Sequence, residues 1–414
     1  MTSTASLTSR LEPVTDVGGK LCAVIDELAG FLAEQAAIND RTGQFARDSV
    51  ARLTEAGVLA ACAPVADGGF GLESLYDLAV VTSRLAQADA SVAIAAYMHL
   101  ALSSYYARTV RCAPAEQRAG LAQRQWLAAI GRREMIVCSA VAEPGVDPSR
   151  LNTTARQSDV GWVINGRKAL ASISPAATHF YTRLKGETDA GAIQGTVMIS
   201  RDAPGVEVRD NWDGLGLRGS GSGEVIFSGV ALPSAALSPR GGWGTRNARG
   251  YEGRAATSAP LLAVYLGIAE AAHDMAVASL AGGPNSRTRA ASAGVKVLVA
   301  EMELRMAAAR GTLHTVLADI DAHVSDAAPR SLPAELGRSL MAGCVAAGMV
   351  VERAATEVVD LAMQVCGGRS YVAGHPLGRI CRDVRACWFM RPHPLAEEWL
   401  DFLADPHPQE PDVS

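Results

Sequence analysis

The chain has 414 residues, of which 49% are hydrophobic and 20% are charged, and this length is enough for two or three domains with a large apolar core. Its formal net charge of -5 gives no excess of basic residues, so nothing in the composition requires nucleic acid or an anionic membrane as a partner. The eight cysteines include no Cys-x-x-Cys pair and lie mostly in apolar runs. They predict buried thiols in a reducing cytoplasm and argue against a disulfide framework or a metal site.

The N-terminal part of the chain is predicted to be helical. Residues 1–18 contain no apolar run and are expected to be a flexible N-terminus rather than a signal peptide. Residues 19–128 carry apolar side chains at helical spacing, and Ser74 is placed to cap one of the helices. The uncharged stretch 90–107 barely reaches membrane length, and its polar side chains would be costly in lipid. We therefore expect a buried helix there, within an N-terminal helical domain.

The middle of the chain, residues 129–240, changes to a strand-like pattern. Alternation of apolar and polar residues places Trp162 and Ile164 on one face, and the following Asn165-Gly166 pair predicts a tight turn. Further alternating runs follow, punctuated by glycine and aspartate. This pattern predicts a compact β-domain.

The C-terminal part, residues 241–404, is predicted to be a second helical domain, followed by a tail at 405–414. Apolar stripes at helical spacing predict long helices at three places: 255–280, 290–324 and 333–366. Gly367 and Gly368 are expected to end the last of them. The order of helices, strands and helices, without alternating βαβ units, argues against a Rossmann domain.

Five segments occur in an order and spacing typical of one family: CSAVAEPG at 138–145, NGRKALAS at 165–172, GLRGSGSGEVIFSGVALP at 216–233, QVCGGRSY at 364–371 and RDVR at 382–385. Each motif alone is weak, but together they resemble the acyl-CoA dehydrogenase superfamily over nearly the whole chain. The resemblance implies an α+β fold with an N-terminal helical domain, a middle β-barrel-like domain and a C-terminal four-helix bundle. It also implies a homotetramer with flavin near the subunit interfaces.

The same resemblance implies the residues that contact the flavin: Val141, Ala142, Leu170, Ser172, Gln364, Gly367 and Gly368. A Gly-Gly turn lets backbone N–H groups approach a phosphate closely, and a hydroxyl beside the isoalloxazine ring can tune it. Leu170 stands where the family usually has a tryptophan. Ser172 stands at the family's hydroxyl position, although an ordinary strand serine is the alternative.

Two positions depart from the dehydrogenases of this family in a way that bears on the reaction. A dehydrogenase removes a proton next to a thioester carbonyl, and it needs a carboxylate of suitable pKa for this step. At the two positions where the family places that glutamate, the chain has Arg391 and Thr257. Neither can act as the base, since the pKa of arginine exceeds ~12. Glu252 lies close to the second position and stays an alternative base.

Two binding motifs of the family are also replaced. Residues 145–149 read Gly-Val-Asp-Pro-Ser instead of the Gly-x-Gly-Ser-Asp of members that bind CoA. The region of the Arg-x-x-Phe-Gly motif, which reaches the flavin across a subunit interface, reads GGPNSRTRAASAGVKV. These differences would suit an enzyme that receives loosely held reduced flavin, FAD or FMN, from a separate flavin reductase.

Four segments resemble one group more closely, the flavin-dependent nitrososynthases, which N-oxygenate nucleotide-linked amino sugars: GRKALASISPAATHFY, DNWDGLGLRGSGS, VYLGIAEAA and HPLGRICRDVRACWFMRPHP. The resemblance implies that reduced flavin reacts with molecular oxygen to give a C4a-hydroperoxide, whose distal oxygen the substrate amine attacks. Repeated oxidation would take the amine to a hydroxylamine and then to a nitroso group. Two alternatives stay open: an acyl-CoA dehydrogenase that forms an α,β double bond in a thioester, and a flavin-free binding homologue.

Several polar residues are candidates for the site, each with a structural alternative. His99 could face the flavin or be a satisfied core histidine. Arg391 could pair with a substrate diphosphate and His393 could relay protons, or both could lie on the surface. Arg218 and Ser220, in a glycine-rich loop, are candidate substrate contacts, and Arg218 could instead hold a structural ion pair.

Two carboxylates are expected to be structural rather than catalytic. Glu143 is expected to matter through the backbone of its turn more than through its carboxylate. Asp383 lies between Arg382 and Arg385 and is expected to form a salt bridge.

Overall fold

The computed structural model describes residues 10–118, 120–144, 151–159, 161–189, 191–243, 250–281, 286–329, 331–390 and 403. Helices come first along the chain, strands follow, and long helices return. This order confirms the helix, sheet and helix arrangement predicted from the sequence.

The N-terminal region is built from helices α1 Asp16–Thr42, α2 Arg47–Glu55, α3 Leu75–Ala88, α4 Ala90–Cys112, α5 Ala115–Arg118 and α6 Ala122–Gly131. The Ser74 hydroxyl accepts from the Asp77 N–H at 3.0 Å, so the predicted cap of α3 is confirmed. Asp89 caps α4 in the same way, since its Oδ1 accepts from the Ser91 N–H at 2.9 Å. The uncharged stretch 90–107 lies in α4 and is mostly buried, as predicted.

The middle region folds into strands β1 Val137–Ser139, β2 Thr154–Ser158, β3 Gly161–Lys168, β4 His179–Thr188, β5 Gly191–Ser200, β6 Val206–Arg209, β7 Glu224–Leu232 and β8 Ser238–Gly242. Hydrogen-bonded neighbours follow the order β6-β7-β3-β2-β4-β5-β8, and β1 pairs with β4 in parallel. The single sheet places the ends of β1 and β3 and the start of β7 within reach of the helical regions.

The tight turn predicted at Asn165-Gly166 is wrong. Both residues lie inside β3, where the register against β7 shifts between Ile164 and Gly166. The Asn165 side-chain oxygen accepts from the Gly229 N–H at 2.8 Å. In a hairpin this side chain would help to form the turn, whereas here it stabilises the irregular pairing of β3 with β7.

The C-terminal region consists of α7 Tyr251–Ala281, α8 Ser286–Ala291, α9 Ala293–Val324, α10 Ala334–Cys366 and α11 Pro376–Val384. The three long helices predicted from apolar stripes are confirmed, and α10 ends at Gly367 with a φ of 68°. Two helices, Tyr251–Ala281 and Ala334–Tyr371, are long and apolar enough to cross a membrane by length and composition. The most apolar stretch of the first helix is 72% buried within the protein, and that of the second is 44% buried.

Helix α7 is the centre of the helical packing, with α3, α9 and α10 against it. A Cβ at Gly267 would lie 2.3 Å from the Ser83 carbonyl oxygen, so glycine at this position permits the close crossing of α7 and α3. The boundaries predicted at 128 and 240 fall beside the ends of α6 and β8 and stay predictions.

Candidate functional site

Three segments of the middle region meet where the resemblance places the flavin, and we call them the cradle: residues 140–144 after β1, 169–174 after β3 and 217–223 before β7. Backbone hydrogen bonds join them. The Ala169 N–H donates to the Ala142 carbonyl at 2.9 Å, and the Ala171 N–H donates to the Gly223 carbonyl at 3.1 Å. The cradle therefore brings together four predicted flavin contacts and two predicted substrate contacts: Val141, Ala142, Leu170, Ser172, Arg218 and Ser220.

The cradle contains three non-glycine residues with positive φ, namely Leu170 at 51°, Ile173 at 66° and Leu217 at 51°. Such conformations cost on the order of 1–3 kcal/mol each and persist where neighbouring contacts hold them, often at functional sites. The side chain of Leu170 is 56% exposed. This backbone turn therefore presents an apolar surface outward, which suits the face of an aromatic ring better than it suits water.

Three buried serine hydroxyls form a chain inside the cradle. The Ser222 Oγ lies 2.8 Å from the Ser172 Oγ and 2.7 Å from the Ser220 Oγ. The Ile173 N–H donates to the Ser220 carbonyl at 2.9 Å. Ser220 is fully buried, so its hydroxyl acts within the cradle and reaches the predicted flavin contact Ser172 through Ser222.

Both helical regions hold the loop 217–223 in place. A Cβ at Gly221, whose φ is +60°, would lie 2.5 Å from the Phe45 ring, so both the backbone conformation and the space favour glycine. On the other side, the Asp383 Oδ1 of α11 accepts from the Leu217 N–H at 2.6 Å. Burial of Asp383 raises its pKa to about 7, although Arg379 and the Leu217 hydrogen bond act in the opposite direction.

The salt bridge predicted between Asp383 and its neighbouring arginines is wrong. Arg382 pairs with Asp40 at 2.6 Å, and Arg385 pairs with Asp360 at 2.8 Å. Residues one and two positions apart on a helix do not face each other, so these arginines point away from Asp383. Asp383 instead joins the last short helix to the cradle.

Glu143 anchors the first cradle segment through its carboxylate, contrary to the expectation that its backbone would matter more. It accepts from the Lys168 Nζ at 2.7 Å and from the N–H groups of Asn152 and Thr153 at 2.6 and 3.0 Å. Lys168 also donates to the Arg183 carbonyl at 2.7 Å. Burial lowers the pKa of Lys168 to about 8, opposed by its contact with Glu143.

Sequence reasoning missed Lys168, although a signal was present. Alternation along β3 puts Lys168 on the same buried face as Trp162 and Ile164. A lysine on such a face needs a partner, because a buried charge is costly unless it is paired.

His99 is fully buried, and backbone groups occupy both of its ring nitrogens. Its Nε2 donates to the Leu59 carbonyl at 2.9 Å, and its Nδ1 accepts from the Val137 N–H at 3.0 Å. Burial lowers the pKa of His99 to about 4, so the ring is neutral at physiological pH. This arrangement ties α4 to β1 and favours the structural alternative over a catalytic one.

Arg218 fastens the cradle loop to the N-terminal helices. Its Nε donates to the Asp40 carbonyl at 2.9 Å, and its Nη1 donates to the Gly214 carbonyl at 3.3 Å. These contacts favour the structural alternative for this residue. The candidates Arg391 and His393 lie outside the described residues.

The predicted diphosphate contacts Gln364, Gly367 and Gly368 are exposed and lie on the C-terminal helical region. Their turn packs against α10 and α11. A Cβ at Gly367 or Gly368 would meet nothing within 4 Å, so the turn has open space beside it. Among the described residues, no hydrogen bond joins this turn to the cradle.

A narrow cleft separates α4 from the first turns of α7. It is lined by Glu73, Leu75, Leu78, Ala101, Ser104, Tyr105, Arg108, Arg111, Gly253, Ala256, Thr257 and Ser325. Glu73, whose side chain is 59% exposed, and its partner Arg111 mark the outer end of the cleft. The Thr257 hydroxyl donates to the Gly253 carbonyl at 2.8 Å. Thr257 stands at a position where the family has a carboxylate. The cleft therefore has a hydroxyl group there, and this hydroxyl is already hydrogen-bonded within α7.

Glu252, the alternative base, is held in a structural ion pair. Its Oε1 lies 3.2 Å from the Arg108 Nη2, and both side chains are nearly fully buried. Its Oε2 accepts from the Leu332 N–H at 3.2 Å. Among the described residues that line the cleft, the one carboxylate is Glu73, which pairs with Arg111 at 3.4 Å at the outer end.

A short series of contacts connects the cleft with the cradle. The Tyr105 Oη, in the cleft, accepts from the Arg240 Nη1 at 3.0 Å. Arg240 also hydrogen-bonds Tyr181, whose carbonyl accepts from the Ala140 N–H at 2.9 Å. Ala140 begins the first cradle segment, so the two parts of the site lie close together.

Comparisons with known proteins bear on this arrangement. Three domain models of the acyl-CoA dehydrogenase family match in order: the N-terminal domain at residues 23–125, the middle domain at 138–230 and the C-terminal domain at 260–390. L-evernosamine nitrososynthase of a Micromonospora species is 37% identical over 399 residues, which cover 95% of this chain and 90% of that protein. The fold and the family predicted from the sequence are confirmed.

Two solved structures are similar over nearly their full length. The nitrososynthase from Micromonospora carbonacea var. africana is 35% identical with a TM-score of 0.86, covering 95% of this chain and 97% of that one. KijD3 in complex with FMN and dTDP-3-amino-2,3,6-trideoxy-4-keto-3-methyl-D-glucose is 34% identical with a TM-score of 0.86, covering 95% and 94%. These similarities confirm the predicted resemblance to nitrososynthases.

Proposed function

The chain belongs to the acyl-CoA dehydrogenase family of flavin-dependent oxidoreductases, and from that premise we propose that it N-oxidises the amine of a nucleotide-linked amino sugar. Similarity to a nitrososynthase along almost the entire chain supports this reaction. The amino-sugar nucleotide and FMN bound to KijD3 support the substrate and cofactor classes.

The observation that carries the proposal is the composition of the cleft. Thr257 stands where a dehydrogenase of this family has one of its carboxylates, and Glu252 nearby is held by Arg108. An amine is oxidised through its own nitrogen lone pair, so the reaction needs no carboxylate to remove a carbon-bound proton. The described part of the cleft therefore suits amine oxidation better than dehydrogenation of a thioester.

The cradle residues fit a flavin ring. Leu170 offers an exposed apolar surface, Ser172 offers a hydroxyl, and the backbone of Val141 and Ala142 runs alongside. Reduced FMN or FAD, when bound, supplies the two electrons with which one oxygen molecule converts the amine to a hydroxylamine and water. A second round converts the hydroxylamine to a nitroso group and two waters. The protein binds the amine, orients its lone pair and keeps bulk water out.

The exposed turn at Gln364, Gly367 and Gly368 has a place in the same proposal. Its open surroundings, and the lack of a hydrogen bond between this turn and the cradle among the described residues, support a role in holding the phosphate end of a flavin bound to another subunit. This role requires an oligomer, and the sequence resemblance implies a homotetramer served by a separate flavin reductase. The free cysteines predict a cytoplasmic location.

The test is an oxygen-dependent assay with the purified protein, a flavin reductase, NADH, FMN or FAD, and a panel of nucleotide-linked amino sugars. Mass spectrometry of the product with isotopically labelled oxygen gas is the readout. We expect the labelled atom on the substrate nitrogen, and no product without the reductase.

The dehydrogenase alternative makes the opposite prediction. Incubation with an acyl-CoA panel and a dye acceptor would reduce the dye and remove two hydrogens from the thioester. That result, together with unlabelled amino sugars in the first assay, would overturn the proposed function. Failure of the protein to bind oxidised or reduced flavin would favour a flavin-free binding role.

A further inference from the structure

We propose that Ser222 and Ser220 are positioning residues, which direct the hydroxyl hydrogen of Ser172 towards the flavin ring. The proposal rests on the proposed function, because it takes the cradle as the flavin site. It follows from the number of hydrogens that the three serine hydroxyls share.

The three hydroxyls form a linear chain with Ser222 in the middle. The Ser222 Oγ lies 2.8 Å from the Ser172 Oγ and 2.7 Å from the Ser220 Oγ. Both distances are typical of good O–H···O hydrogen bonds. Among the residues that the structure describes, the hydroxyls of Ser172 and Ser220 have no further hydrogen-bond partner.

One of the three hydroxyl hydrogens is left over. Each serine has one O–H donor, and the two hydrogen bonds within the chain use two of the three hydrogens. Ser220 is 0% exposed, whereas Ser222 and Ser172 are 7% and 5% exposed. A buried O–H without an acceptor costs about 1–3 kcal/mol, so the left-over hydrogen is least favourable on Ser220.

Ser172 is the position from which the left-over hydrogen can reach a ligand. It follows Leu170 by two residues, and the side chain of Leu170 is 56% exposed at the surface of the cradle. If Ser220 donates to Ser222 and Ser222 donates to Ser172, the Ser172 hydrogen is free for an acceptor. The carbonyl oxygens and bare nitrogens of a flavin ring are such acceptors. A hydroxyl that already accepts a hydrogen bond is also the stronger donor.

The backbone holds the oxygens of this chain in place. The Ile173 N–H donates to the Ser220 carbonyl at 2.9 Å, and the Ser172 N–H donates to the Leu170 carbonyl at 3.0 Å. Loss of the Ser222 hydroxyl would therefore leave the Ser172 backbone where it is, with its hydroxyl free to rotate. Ser222 thus sets the direction of that hydroxyl rather than its location.

The test is a titration of oxidised FMN into the protein freed of flavin, with the visible absorption of the bound ring as a second readout. Ser172→Ala is expected to weaken FMN binding by about tenfold, because the ring loses a hydrogen bond. Ser222→Ala is expected to weaken it by roughly threefold to fivefold, since Ser172 loses the donor that orients and polarises its hydroxyl. Ser220→Ala, one hydroxyl farther from the ring, is expected to weaken it by about twofold.

A double variant separates an effect exerted through Ser172 from a structural one. In the Ser172→Ala background, adding Ser222→Ala is expected to leave the FMN affinity and the absorption spectrum unchanged, because the hydroxyl that Ser222 orients is gone. Thr82→Val is a matched control on α3. It removes a fully buried hydroxyl that donates to the Leu78 carbonyl at 3.0 Å, and it should lower stability without changing FMN affinity.

The outcomes distinguish this proposal from the proposed function. Equal FMN affinity and equal spectra for wild type and Ser222→Ala would overturn the positioning role alone. Additive losses in the double variant would also overturn it, because Ser222 would then act independently of Ser172. Graded losses without labelled oxygen on any substrate would overturn the proposed function alone, and failure of the wild type to bind FMN or FAD would overturn both. If thermal melting shows that Ser222→Ala folds poorly, Ser220→Ala takes its place in the same cycle.

Discussion

The cradle and the outer cleft use the same kind of ion pair in opposite surroundings. In the cradle, the Lys168 and Glu143 side chains are 0% and 2% exposed. At the outer cleft, the Arg111 and Glu73 side chains are 25% and 59% exposed. A buried pair cannot be opened without leaving an uncompensated charge, whereas an exposed pair can lose one partner at little cost, because water solvates the other. The comparison indicates that the cradle is held more rigidly than the outer cleft.

The largest loss of stability is expected when Lys168 is replaced. Lys168→Met leaves the Glu143 carboxylate buried without its cation, and the loss of such a partner costs about 3–5 kcal/mol. We expect a drop of that size in the free energy of unfolding, measured by urea denaturation, and loss of flavin binding as the segment 140–144 is released.

A matched control is available on β4, in the same sheet. Lys185 pairs with Glu187 at 3.4 Å, with both side chains about one-third exposed. Lys185→Met should change the free energy of unfolding by less than about 1 kcal/mol. If the two lysine variants lost the same stability, burial would not be what distinguishes the cradle.

The second prediction concerns Asp383, whose carboxyl holds Leu217 at the edge of the cradle. Its pKa is raised to about 7 in the folded protein, largely by burial. The folded state therefore binds the proton more tightly than the unfolded state, where the pKa is about 3.9. The contribution of Asp383 to stability is present at low pH and is lost as the pH rises through this window.

Asp383→Asn keeps an oxygen for the Leu217 N–H and removes the charge. The stability of this variant relative to wild type should rise by about 1.4 kcal/mol per pH unit between pH 5 and 7, and level off above that. Urea denaturation at a series of pH values measures the difference. A difference independent of pH would mean that Asp383 is not buried as described.

The sequence predicted those features that depend on local pattern. Long apolar stripes marked α7, α9 and α10 almost to their ends, because each stripe is read along one helix. The three cradle segments were singled out by their resemblance to family motifs, and their contact with flavin stays a prediction. Ser222 also lies in one of these motifs, but its hydrogen bonds to two serines depend on the meeting of separate segments.

Features that depend on distant partners were predicted poorly. The Asn165-Gly166 pair has the local signature of a turn, but pairing of β3 with β7 overrides it. Asp383 has arginines beside it in sequence, yet its partner is Leu217 in the middle region. Such contacts join residues from different parts of the chain, so composition and spacing alone do not specify them.

At the outer cleft, loss of the Glu73 carboxylate is expected to change stability little. Glu73→Gln should change the free energy of unfolding by less than about 1 kcal/mol, because its pair with Arg111 is exposed and screened by salt. Measuring urea denaturation at low and high salt separates the contribution of the ion pair from that of side-chain packing. A stability loss near that of Lys168→Met would show that the outer cleft is built as rigidly as the cradle.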